Sequence, residues 1–242
     1  MNAPTVILAG GGTGGHLYPG LAVAEELRRR APEAVVVFAC SARDVDRRIL
    51  EPTDWPFTPQ PVVPLPRRPW QAARFLLAWR ASRRLARRML ADLRPCAVLG
   101  LGGFAAGPLA AEAARAKVPV GLLNPDAVPG KANRHLARRA DAVFAGFERA
   151  REHFPPACRQ RVHVTGCPVR AAFLQASRDE AIGHFGLDAN RRTLLVSGGS
   201  LGARSINEAV LALAGDLDAH AGQWQVLHVT GPDRLEEVGS AW

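Results

Sequence analysis

No apolar run in this sequence reaches the ~18 residues that a membrane-spanning helix needs. Cysteine is sparse: Cys40, Cys96, Cys158 and Cys167 lie far apart and form no C-x-x-C pair. Reduced cysteines in a cytosolic protein, serving as small apolar residues, are the expectation. The N-terminus, Met1-Asn2-Ala3-Pro4, carries no basic residue and leads straight into a strand pattern, so no signal peptide is read there. Lysine is almost missing. Of 31 basic residues only Lys117 and Lys131 are lysine, and the net charge is +9. That balance predicts attraction to anionic surfaces: nucleic acid, acidic lipid or a diphosphate. What is present in quantity is hydrophobic residue, 48% of 242, enough for one large domain or two smaller ones.

Glycine is concentrated at one place. In Gly10-Gly11-Gly12-Thr13-Gly14-Gly15-His16, five of the first six positions are glycine. An apolar stretch, Thr5 to Ala9, precedes the run and reads as a buried strand. Tyr18 to Leu27 follows and reads as a helix with Pro19 near its first turn. Such a turn aims bare backbone N–H groups and the positive end of a helix dipole at one spot, which suits a phosphate. His16 adds a titratable group beside that spot. Close packing alone is the competing reading of so many glycines.

Two further absences narrow the loop. Gly10, Gly12 and Gly15 satisfy G-x-G-x-x-G, but a dinucleotide site also wants an acid at the end of the second strand to hold the ribose. The second strand pattern, Ala34 to Ala39, ends in Cys40-Ser41, and its first acid is Asp44, beyond the expected place. A Walker loop wants Lys and then Ser or Thr after its last glycine, where His16 and Leu17 stand. A nucleotide-dependent oxidoreductase loses ground accordingly.

Strand and helix patterns alternate, which predicts an α/β fold with a parallel sheet. Further strands are read at Ala97–Leu101, Val118–Leu123, Ala142–Ala145 and Val162–Thr165, with helices at Leu21–Arg30, Trp70–Leu93 and Pro108–Ala116. The proline-dense stretch from Pro52 to Pro69 reads as a loop. A second start appears late: a strand at Thr193–Ser197, a glycine turn Gly198 to Arg204, a helix Ser205–Ala214 and a strand Trp224–Val229. Two Rossmann-like domains are therefore expected, 1–165 and 166–242. The second is short for its kind (domains are typically ~100–150 residues), so a fragment or a truncated product is expected.

The motif set resembles the MurG family of glycosyltransferases over essentially the whole chain. The residues that carry the resemblance are Gly11 to His16 with Pro19, Leu99 to Phe104 with Gly107-Pro108, and Pro129 to Arg134 with Leu136-Ala137. Gly166-Cys167-Pro168-Val169-Arg170, Gly198 to Ala203 and His228 to Gly231 complete the set. The resemblance implies a GT-B fold of twin Rossmann-like domains, the second incomplete here, with the sugar nucleotide in the cleft between halves. It implies inverting transfer of N-acetylglucosamine from UDP-N-acetylglucosamine to the 4-hydroxyl of an undecaprenyl-diphosphate-linked muramoyl-pentapeptide, with no metal and no cofactor. Carried over by motif, Thr13, Gly14, Gly15, Asp126, Arg170 and Ser200 contact the donor, and His16 is the candidate general base. Departures stand beside the matches. The family's Glu-Gln-Asn run is here Asn124-Pro125-Asp126, Cys167 replaces an asparagine and Leu201 a glutamine. A catalytically inactive binding protein of the same fold, or a related enzyme acting on another lipid acceptor, are the alternatives these departures leave open.

The stretch from Arg67 to Leu90 carries a two-faced helical pattern, with the helix beginning near Pro69. At ~100° per residue, Phe75, Ala78, Trp79, Leu85, Ala86, Met89 and Leu90 share one arc, read as core. Arg80, Arg83, Arg84, Arg87 and Arg88 share the other, read either as a solvated face or as a docking face. Trp70, Leu76 and Leu77 project among the arginines, which suits the interface of an anionic membrane. Peripheral association with the cytoplasmic leaflet is the expectation. Nucleic acid is the rival partner, and no nucleic-acid module is recognisable.

Overall fold

The computed structural model describes residues 3–66, 68–199, 202–240 and 242. Ser200 and Leu201 of the glycine-rich run that starts at Gly198, and Arg67 at the head of the basic stretch, lie outside the described residues. The chain forms two compact units, Met1–Phe173 and Leu174–Trp242.

The first unit holds a parallel sheet in the order β3-β2-β1-β4-β5-β6-β7. Its strands are β1 (Thr5–Gly10), β2 (Val35–Ser41), β3 (Phe57–Gln60), β4 (Ala97–Gly102), β5 (Val120–Asn124), β6 (Ala142–Ala145) and β7 (Val162–Val164). The helices are α1 (Gly14–Arg30), α2 (Asp44–Leu50), α3 (Ala72–Leu93), α4 (Ala106–Arg115), α5 (Lys131–Leu136) and α6 (Ala171–Gln175), which runs across the division between the units. Successive side chains of a strand point to opposite faces, and both faces here are covered. Ile7 and Ala9 join a core cluster with Ala86 and Met89 of α3 and Leu109 and Ala113 of α4. Leu8 joins a second with Leu17, Leu21 and Ala24 of α1 and Ile49 and Leu50 of α2. Burial on both sides is why these strands read as unbroken apolar runs.

Three expectations change. The stretch from Pro52 to Pro69 contains β3; it is the edge strand, so Pro59, opposite Cys40, leaves no ladder bond unmade on the outer side. Helix α1 starts at Gly14, so Pro19 is its sixth residue rather than one of its first turn. The basic arc of α3 is not wholly solvated: Arg83 and Arg87 reach the carboxylate of Glu112 on α4, which is 5% exposed. The apolar arc holds, with Ala86 and Met89 buried and Leu85 and Leu90 packed against them.

The sequence reading puts the domain join between residues 165 and 166, whereas the compact units part between Phe173 and Leu174. Residues of the intervening stretch lie on α1. The Arg170 guanidinium is 5.0 Å from the centre of the Tyr18 ring, and the Ala171 N–H donates to Glu25 at 3.4 Å.

The second unit has α7 (Arg178–Phe185), β8 (Arg192–Ser197), α8 (Arg204–Ala212), α9 (Ala214–Asp218), β9 (Trp224–Val229) and α10 (Leu235–Gly239). β8 and β9 pair in parallel. Asn207 of α8 donates to the Thr230 carbonyl at 3.0 Å and sits 3.1 Å from Nε2 of His228. Leu195 of β8 remains 61% exposed.

Candidate active site

The carboxyl ends of β1 and β4 lie side by side, but the helices that follow them pack on opposite faces of the sheet: α1 with one core cluster, α4 with the other. That divergence opens a crevice, the usual ligand position in open α/β sheets. Two glycine turns line it, Gly10 to Thr13 after β1 and Gly102 to Phe104 after β4.

The turns touch. Gly12 has φ +89°, and a Cβ there would come within 2.8 Å of Cε1 of Phe104. Gly103 has φ +71°, and a Cβ there would lie 2.7 Å from the Gly11 carbonyl oxygen. Both positions need glycine twice over, for the dihedral and for the space. Arg43 covers the junction, donating to the Gly12 carbonyl at 3.2 Å with its guanidinium 5.0 Å from the centre of the Phe104 ring.

His16 is the third residue of α1. Its ring lies against the second turn: a Cβ on Gly102 would be 3.0 Å from Nδ1, and one on Gly103 would be 3.0 Å from Cδ2. Nδ1 is buried and has no hydrogen-bond partner among the described residues. Burial holds the imidazole pKa below its ordinary 6.5, with the charges of Asp126 and Asp46 acting the other way. A neutral ring at neutral pH is able to accept a proton. The N–H groups of Gly14 and Gly15, in the first turn of α1, make no hydrogen bond among the described residues; Gly15 is exposed and Gly14 is buried. Thr13 is exposed and its side chain does not cap the helix.

Asp126 is held beside His16 by buried amides. Asn124 donates to the Asp126 carbonyl at 2.6 Å, and Asn133 donates to Leu123 at 3.0 Å and to the Asn124 side chain at 3.2 Å. His16 and Asp126 line one cavity of about 660 Å³ with Lys131, Phe104 and the stacked rings of Phe75 and Trp79. Arg170 is not among its lining residues. Its guanidinium lies over Tyr18 and its Nε is buried without a hydrogen-bond partner among the described residues. Trp70, Leu76 and Leu77 are 69%, 52% and 67% exposed. Among the described residues no helix is long and apolar enough to cross a membrane, and no three His, Cys, Asp or Glu residues are grouped to hold a metal.

Sequence reasoning missed Asp46, Arg43 and the place of Trp79 in the cavity wall. Asp46 and Arg43 lie on and just before a short helix whose only link to the glycine loop is spatial. For Trp79, the helical arc indicated burial but not what it faced.

Residues 6–145 match the glycosyltransferase family 28 N-terminal domain and residues 193–242 the glycosyltransferase family 28 C-terminal domain. The chain belongs to glycosyltransferase family 28. It is 41% identical, over 230 residues, to a UDP-N-acetylglucosamine--N-acetylmuramyl-(pentapeptide) pyrophosphoryl-undecaprenol N-acetylglucosamine transferase of Leifsonia xyli, covering 93% of this chain and 62% of that protein. The transferase of the same name from Halothermothrix orenii is 35% identical over 235 residues, 96% of this chain and 62% of its own length. The chain thus spans about 62% of the length of these curated relatives. In fold it is similar to the crystal structure of Acinetobacter baumannii MurG, with TM-score 0.65 and 24% identity over 98% of this chain and 62% of that one. A UDP-GlcNAc 2-epimerase from Neisseria meningitidis, bound to UDP-GlcNAc, gives TM-score 0.61 and 15% identity over 98% of this chain and 69% of that one. The α/β class and the family resemblance read from the motifs are borne out.

Proposed function

We propose that the protein carrying this chain transfers N-acetylglucosamine, with inversion, from UDP-N-acetylglucosamine to an undecaprenyl-diphosphate-linked muramoyl-pentapeptide. His16 takes the proton of the acceptor 4-hydroxyl as its oxygen bonds to the anomeric carbon. The bond from that carbon to the diphosphate breaks, and UDP leaves with the electron pair. Thr13, Gly14, Gly15, Asp126, Arg170 and Ser200 contact the donor. In this reading the unpartnered N–H groups of Gly14 and Gly15 at the head of α1 meet the growing negative charge, so the step calls for no metal and no cofactor. Residues 1–165 serve the acceptor and the membrane, and residues 166–242 begin the donor domain.

The observation that carries the reading is the imidazole of His16, kept neutral by burial, between two glycine turns and beside an open helix N-terminus. The membrane part rests on α3 and the turn before it. Phe75 and Trp79 wall the His16 cavity, while exposed Trp70, Leu76 and Leu77 enter the headgroup layer of the anionic cytoplasmic leaflet. Transfer of radiolabelled N-acetylglucosamine by the full reading frame, compared with His16→Ala, tests the chemistry. Loss of about 100-fold or more in kcat is expected for a general base, and undiminished transfer by the variant removes His16 from that role.

A further inference from the structure

Asp46 is wholly buried, yet it makes no ion pair among the described residues. Backbone and hydroxyl donors surround it instead. The Gly12 N–H reaches Oδ1 at 2.7 Å and Oδ2 at 2.9 Å, and Oδ2 also accepts from the Ser41 N–H at 2.8 Å and the Ser41 hydroxyl at 2.7 Å. The backbone of Gly11 runs so close that a Cβ there would be 2.2 Å from Oδ2. One carboxylate thus ties the first glycine turn to the end of β2. A buried charge without a countercharge carries a large desolvation cost, and charge-assisted hydrogen bonds are what offset it. Simple fastening of two loops is available from neutral amides, as Asn124 and Asn133 show on the other side of the cavity. The charge itself therefore calls for a use.

We propose that Asp46 is a positioning residue for the transfer reaction: it locks the Gly11–Gly12 turn, and with it the start of α1, so that His16 is held against the second glycine turn. This rests on the reading of His16 as the base. The carboxylate also supplies a fixed negative charge that favours the imidazolium formed when His16 takes the proton. The other titratable groups lining the His16 cavity are Asp126 from the loop after β5 and Lys131 and His135 from α5. The N–H of Gly12, being held by Asp46, is not available to a phosphate oxygen, whereas that of exposed Gly15 has no partner among the described residues.

The test uses the intact protein for both kinetics and NMR. In Asp46→Asn we expect kcat to fall about tenfold or more, with KM for donor and acceptor unchanged within about twofold, because the loss is one of alignment at the reacting atoms. The titration midpoint of the His16 ring, read by ¹H–¹⁵N NMR, moves to lower pH as the negative charge is removed. A purely fastening role lowers stability and leaves that midpoint where it was. An unchanged midpoint, or an unchanged kcat in a folded variant, overturns the proposal. Should Asp46→Asn fail to fold, Ser41→Ala decides: it removes one bond to Oδ2 and keeps the charge, and a kcat equal to that of the parent overturns the proposal. Failure of the underlying reading looks different, since then the parent itself shows no transfer or His16→Ala keeps it.

Discussion

The guanidinium of Arg170 lies 5.0 Å from the centre of the Tyr18 ring, on the helix that begins with the glycine turn. If Arg170 contacts the donor, Tyr18 is what aims it. A cation–π contact at an exposed site contributes about 0.5–1 kcal/mol. Tyr18→Leu should therefore raise the donor KM about two- to fivefold with kcat preserved, and steady-state kinetics at varied donor concentration measures it. A donor KM equal to that of the parent removes the aiming role.

The imidazole of His16 titrates below 6.5 because burial penalises its charged form. A base is lost when it is protonated, so kcat/KM should fall as pH drops through that lowered value, and stay level above it until another group titrates. Asp126 raises the proton affinity of the ring. Asp126→Asn should move the acid limb of the profile to lower pH. A move to higher pH contradicts the proposed electrostatics.

Glu112, 5% exposed, is the buried partner of Arg83, and Arg87 also reaches it. Glu112→Ala leaves Arg83 facing an apolar seam between α3 and α4. Urea unfolding should show a loss of about 2 kcal/mol, below the range for fully buried pairs because Arg83 keeps some contact with water. Glu51→Ala, which breaks the exposed pair with Arg47, should change stability by less than about 0.5 kcal/mol.

Co-sedimentation with vesicles tests the α3 face. Binding should need anionic lipid, weaken with salt, and drop when Trp70, Leu76 and Leu77 are changed together to Ser. Arg80, Arg84 and Arg88 make no ion pair among the described residues, and they supply the charge for this attraction. Equal binding to neutral and anionic vesicles contradicts it.

Much of the sheet was legible because parallel strands covered on both faces are written as apolar runs. Ala142–Ala145 and Trp224–Val229 coincide with β6 and β9. β3 was hidden because proline normally breaks a strand and only the edge position excuses Pro59. The start of α1 was hidden because Gly14 and Gly15 look like loop, although the first helical turn needs no side chain to form its bonds. His16 was legible from its place after the glycines. Asp46 was not, because a ribose-binding acid is expected at the end of the second strand and Asp46 lies past it, on α2. The acid that matters lies five residues past Ser41 and returns to it through space. The partner of Arg83 and Arg87, read only as part of a solvated or docking face, was hidden for the same reason: Glu112 lies on another helix, beyond any helical spacing.

The two borders of the large sheet share a property with consequences for assembly. β3 carries Pro59, which has no N–H to donate, and β7 is three residues long. Neither border presents the run of free donors and acceptors that another chain could use to extend the sheet. Both borders therefore disfavour growth of this unit by strand addition.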